Sequence, residues 1–192
     1  VLTDLAAGQT VPSAVELEIP PGRLLIRFQA AERGSHQQAS DVAIQASTRG
    51  ARCEIVEGAA ETELWQEHER SPWERPGSVI KLSLLPARVT ALAEWLRESQ
   101  STEWELVGRA GVGVLLLRLD DGEDQIERCV GQLRSQFRPG EVFTTALRAS
   151  PGLKRRLAAL EARSDAFPLM HTIKRQFDPA GILNPGLGPG GL

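Results

Sequence analysis

Hydrophobic and polar positions along this 192-residue chain change period several times. Over residues 14–19, Val15, Leu17 and Ile19 alternate with Ala14, Glu16 and Glu18, the two-residue period of a strand with one buried face. Pro20, Pro21 and Gly22 stop it, and residues 23–30 (R-L-L-I-R-F-Q-A) predict a second, more fully buried strand across that turn. Between residues 35 and 48, Ala39, Val42, Ala43 and Ala46 recur at helical spacing, with Gly50 as the C-terminal stop. Residues 52–57 (R-C-E-I-V-E) predict a strand, and residues 61–68 a short polar helix carrying Leu64 and Trp65.

The second half repeats this outline. A strand is predicted at residues 78–84, then a helix at 86–99 with Val89, Leu92, Ala93 and Leu96 on one face and Pro86 in its first turn. Strands at 103–107 and 113–119 are joined by G-R-A-G-V-G, a hairpin connection. A helix follows at 124–137, stopped at Pro139 and Gly140, and a last strand at 142–147. Two strand-helix-strand units in series predict an α+β fold, ferredoxin-like, with a largely antiparallel sheet and helices on one face. From residue 150 the character changes to two helices, at 151–163 and 167–176, and an irregular tail. Residues 1–192 are expected to form one domain, with 150–192 as its helical C-terminal extension and tail.

Charge and motifs narrow the function by exclusion. Charged residues make up 24% and the formal net charge is -3, so nothing advertises a nucleic-acid partner. Cys53 and Cys129 are too far apart for a local thiolate site and read as buried small hydrophobes. His36, His68 and His171 share no metal-ligand spacing, so no metal is expected. Gly108, Gly111 and Gly113 lie between two strands, which suits a hairpin with positive φ rather than a phosphate loop. The carboxylates Glu54, Glu57, Glu61, Glu63, Glu67 and Glu69 read as solvated charge. Among the tryptophans, Trp95 reads as core, whereas Trp65 and Trp73 are candidates for an interface or a pocket lip.

The tail carries the most specific pattern. Lys174, Phe177, Asp178, Pro179, Gly181, Ile182, Leu183, Asn184, Pro185 and Gly186 spell K-x-x-F-D-P-x-G-I-L-N-P-G. This resembles the C-terminal signature of FAD-linked oxidases of the vanillyl-alcohol oxidase superfamily. The preceding F-P-L-M (Phe167 to Met170) and the closing G-G-L resemble the E-subunit type of glycolate oxidases, with weaker likeness upstream in T-V-P-S-A-V-E-L, L-L-I-R-F and A-G-V-G-V-L. The resemblance implies a cap (substrate) domain that follows an N-terminal FAD-binding domain in the intact protein. It further implies FAD as cofactor, a small 2-hydroxy acid as substrate, and sister flavoprotein and iron–sulfur subunits of a glycolate oxidase complex, cytoplasmic or peripherally membrane-associated.

By the same resemblance Lys174, Asn184, Pro185 and Gly186 are expected to face FAD that the other domain mainly holds. No flavin is expected on this segment alone. Related catalytic dehydrogenases carry a metal-binding histidine pair and a Glu-His-Gly segment in their caps; where the latter would fall, this chain reads F-T-T-A-L-R-A-S-P. Catalytic residues are therefore not assigned, and a non-catalytic ferredoxin-like assembly module stands as the alternative. Pro179 and Pro185 bias Asp178 and Asn184 toward extended backbone and predict that helix ends at or before Phe177. The tail either hooks outward with Asn184 free to meet a cofactor edge, or merely caps the last helix and packs Ile182 and Leu183 on the domain's own core.

Overall fold

A computed structural model describes residues 10–99, 103–138, 140–161 and 166–185. Its strands are β1 (Ala14–Ile19), β2 (Arg23–Arg27), β3 (Ser78–Leu84), β4 (Trp104–Arg109), β5 (Val114–Leu119) and β6 (Val142–Arg148). They form one sheet in the order β2-β1-β4-β5-β3-β6, and each neighbouring pair is antiparallel. The helices are α1 (Glu32–Ser47), α2 (Ala59–Glu74), α3 (Val89–Ser99), α4 (Glu123–Gln136), α5 (Pro151–Glu161) and α6 (Phe167–Phe177).

The units β3-α3-β4 and β5-α4-β6 interlock so that their strands lie in the order β4-β5-β3-β6, the split βαβ arrangement of a ferredoxin-like fold. The β1–β2 hairpin extends this sheet by pairing β1 with β4. The expected α+β class and antiparallel sheet are thus observed, but residues 52–57 form no strand. Their apolar run, Ile55 and Val56, is too short to bury an edge, and Ile55 is exposed. Cys53 goes with it: expected in the core, it is exposed, whereas Cys129 on α4 is buried.

Strand alternation divides the side chains between two faces. Leu17, Ile19, Ile80, Leu82, Leu106, Leu115, Leu117 and Leu119 join Leu92 and Leu96 of α3 and Ile126 and Leu133 of α4 in one buried cluster. At 25 cal/mol per Å², each fully buried leucine contributes about 1.5–3 kcal/mol, so this layer dominates the stability. Leu153 and Leu157 extend the cluster to α5, which packs on β6 and α4. Gly113 makes the β4–β5 hairpin possible. Its φ is +70°, and a Cβ there would strike the Leu84 carbonyl oxygen, so the glycine-rich segment is a structural turn as expected.

The opposite face of the sheet, where α2 covers it, sets the buried charges of Glu16, Glu18 and Arg118 beside Val107. α2 packs on β4 and β5 and buries only His68 and Pro72. Its C-terminal end is held by Arg148 of β6, whose guanidinium donates to the carbonyls of Pro72, Trp73, Arg75 and Gly77. A cation there complements the helix dipole and satisfies carbonyls without helical partners.

Candidate functional site

Two groups of side chains stand out, one at the tail and one under α2. α6 ends at Phe177, as Pro179 requires. Beyond it the Asp178 carboxylate accepts the N–H groups of Ile182 and Leu183, each at 3.0 Å. The Lys174 ammonium, one helical turn back, meets Asp178 Oδ2 at 2.6 Å and also donates to the Leu183 carbonyl. Gly181 turns the chain with φ +64°. The hydrogen bond from Lys174, reinforced by the two backbone N–H groups, outweighs burial and holds the Asp178 carboxyl below its ordinary range.

Asn184 follows this hook with φ +46°, which corrects the expectation of extended backbone. Pro185 disfavours the right-handed helical region at the residue before it, and Asn is the non-glycine residue that best tolerates the left-handed one. Its side chain is exposed and has no hydrogen-bond partner among the described residues. Ile182 and Leu183 are also exposed, at 75% and 58%. This contradicts the packing of Ile182 and Leu183 on the domain's own core, whereas the expected capping of the last helix by this motif is observed in the bonds of Asp178. Pro185 is exposed beside Asn184, and Gly186 lies outside the described residues.

α6 itself buries none of its residues. Leu169, Met170, Ile173 and Phe177 are all exposed, and their spacing places them on one side of the helix. With Ile182 and Leu183 they make six of the fourteen exposed large hydrophobics among the described residues, all within fifteen positions. Such a concentration exceeds the singly scattered hydrophobics that a protein surface ordinarily carries.

The second group is centred on His68, which is 6% exposed. Its Nδ1 lies 2.7 Å from Glu18 Oε1 and its Nε2 lies 3.3 Å from Glu16 Oε2. A ring that donates from both nitrogens is an imidazolium. Burial alone would lower its pKa, but the hydrogen bonds to Glu16 and Glu18 outweigh burial and raise it to about 9. Burial likewise opposes the Glu18 anion, yet hydrogen bonds from His68 and Arg23 hold its pKa below the ordinary value. Arg23 contacts Glu18 at 2.6 Å, and Arg109 approaches Glu16 at 3.9 Å. Trp65 stands edge-on to His68 beneath the Arg27 guanidinium, which pairs with Glu61 at 2.7 Å. Trp65 is therefore half-buried in this cluster, and Trp73 is exposed beside Arg148.

Sequence reasoning missed Glu16, Glu18 and His68 as a set. The two glutamates sat on the polar side of an alternating strand, and the histidine on a polar helix; only the fold closes those two polar faces on each other. Asp178 was read as part of a motif and not as its organiser. Among the described residues, no group of three or more His, Cys, Asp or Glu side chains is arranged to hold a metal ion. No helix among them is long and apolar enough to cross a membrane. Phe143, Thr145 and Leu147 of β6 point to solvent, and none of the three is a proton acceptor of ordinary basicity.

The hook and the exposed helix before it coincide with a recognisable family segment. Residues 152–187 match FAD linked oxidases, C-terminal domain. No curated protein matches the chain at a significant level. The matched segment begins in α5 and runs through α6 and the hook.

Proposed function

We propose that this chain is the C-terminal cap domain of an FAD-dependent oxidoreductase, and that α6 and the hook form the arm that seats on the FAD-binding domain. The observation that carries the reading is the coincidence of the family match, residues 152–187, with the exposed apolar concentration from Leu169 to Leu183. The residues fit a contact to the edge of FAD and not its full enclosure. Asn184 offers an outward amide that both donates and accepts, while the one strand-to-helix turn of the described residues that carries a glycine immediately before the helix, at Gly122 between β5 and α4, lacks the G-x-G-x-x-G sequence that cradles a pyrophosphate. FAD, when bound, supplies the hydride acceptor.

On this reading Asn184, Pro185 and Gly186 meet FAD, with Lys174 at the base of the same hook. α6 contributes apolar area that excludes water at the junction. We assign the substrate class as a small 2-hydroxy acid such as glycolate, oxidised to the 2-oxo acid in a cytoplasmic complex with a sister flavoprotein and an iron–sulfur subunit. The resemblance of residues 167–170 and of the tail to glycolate oxidase E subunits supports that assignment. The outward side chains of Phe143, Thr145 and Leu147 favour proton abstraction by a group outside this chain.

The test is Asn184→Ala in the natural-length protein. FAD binding is expected to weaken, with the dissociation constant rising about tenfold, the worth of one or two hydrogen bonds. The melting temperature of the 192-residue chain should move by no more than about 2 °C, as for a surface change. Unchanged FAD retention contradicts the assignment of this residue.

A further inference from the structure

The shape of the hook comes from two side chains below it. Asp178 is 7% exposed and divides its oxygens: Oδ1 accepts the Ile182 N–H, and Oδ2 accepts the Leu183 N–H and the Lys174 ammonium. Lys174 bonds the Leu183 carbonyl as well. Both peptide groups of Leu183 are therefore tied to the last turn of α6, where the Asp178 N–H already bonds the Lys174 carbonyl at 2.8 Å. The Gly181 N–H closes the turn on the Asp178 carbonyl at 3.1 Å. The next residue is Asn184, left-handed and exposed.

A turn through Gly181 has high conformational freedom when untied, and ordering it on contact with a partner would weaken that contact. Charge-assisted hydrogen bonds donated to a buried carboxylate are strong enough to order it beforehand. We propose that Lys174 and Asp178 are positioning residues: as a clasp they preset residues 181–184 so that Asn184 is presented to the flavin before the FAD-binding domain arrives. This rests on the proposed function above and assigns Lys174 an action through the backbone of the hook. Neither side chain needs to touch the cofactor.

Hydrogen exchange on the 192-residue chain reads the clasp itself. In Asp178→Ala and in Lys174→Met, the Ile182 and Leu183 amides should exchange at least about tenfold faster, the factor set by one charge-assisted hydrogen bond. Amides in the Leu82 and Leu117 strands serve as the folding control and should not change, because α6 buries nothing in the core. In the natural-length protein the same two variants should release FAD about tenfold more readily, and Lys174→Arg, which keeps a cation, should recover most of the loss.

Wild-type exchange at Ile182 and Leu183 in Asp178→Ala overturns the clasp, whatever happens to FAD. Faster exchange with unchanged FAD release overturns the positioning role, and Asn184→Ala then separates the two failures. If Asn184→Ala still weakens FAD retention, the flavin contact stands and only the clasp's part in it is wrong. If Asn184→Ala is also silent, the flavin contact itself is wrong.

Discussion

Raising the pH from about 6 to about 10 is expected to lower the melting temperature of the chain by roughly 5–10 °C, through loss of the proton on His68. The pKa of this imidazole rises from its ordinary 6.5 to about 9 in the folded protein. Between those values the folded chain holds a proton that the unfolded chain has lost, so stability falls as pH rises. The contribution is fully present below pH 6.5 and lost through about pH 9, and it amounts to on the order of 3 kcal/mol. Glu18 works in the other direction. Its lowered pKa gives stability that is present above its unfolded value and lost as pH falls through the folded one. The cluster is therefore most stabilising in mildly acidic solution.

His68→Leu isolates the same effect. At neutral pH it leaves Glu16 and Glu18, which are 8% and 6% exposed, facing each other without the cation between them. Breaking a buried pair in this way costs about 3–5 kcal/mol, with Arg23 and Arg109 holding the cost toward the lower figure. The variant should also lose the decline in stability between neutral and alkaline pH, and should regain stability in acid as the carboxylates take up protons. Melting curves across pH for both proteins decide the matter; a parallel decline in both would show that another group titrates.

Arg118→Met is expected to destabilise the fold by about 3 kcal/mol, with a lower urea midpoint at constant m value. Arg118 is 1% exposed, and each of its three side-chain nitrogens donates to a nearby group. It meets Glu105 at 3.1 Å and Glu103 at 3.0 Å, and it donates to the Pro76 carbonyl at 3.2 Å. It thus ties β5 to β4 and to the loop that leads from α2 into β3. Methionine keeps the apolar stem but leaves the Glu105 carboxylate and the Pro76 carbonyl without their donor. Combining it with Glu105→Met should restore much of the loss, since a buried ion pair replaced by apolar groups of similar volume is often neutral. Failure of the double variant to recover would place the loss in the orphaned Pro76 carbonyl and the bond to Glu103 and not in the Glu105 pair.

Much of the architecture was legible in local patterning. β3, α3 and α4 each bury a regular apolar stripe, Ile80 and Leu82, Leu92 and Leu96, Ile126 and Leu133, and periodicity reads such stripes directly. Residues 52–57 misled because β-branched side chains raise strand propensity whether or not a neighbouring edge exists to pair with. Arg118 left a signal, one cation in the otherwise apolar V-L-L-L-R-L of β5, but not the identity of its partners. The clasp was legible only as a motif. That Asp178 is the buried organiser and Asn184 the exposed residue depends on a loop closing onto a helix end, which no periodicity encodes.

On the proposed function, an FAD-binding domain covers the α6 arm and its hook. Hydrogen exchange over residues 167–185, compared between the 192-residue chain and the natural-length protein with FAD, tests it most directly. Slow exchange around Ile173, Phe177 and Leu183 is expected only in the natural-length protein, with a return toward the rates of the separate chain when FAD is removed. Equal exchange in the two proteins would contradict it, because the apolar arm would then face solvent with its supposed partner present.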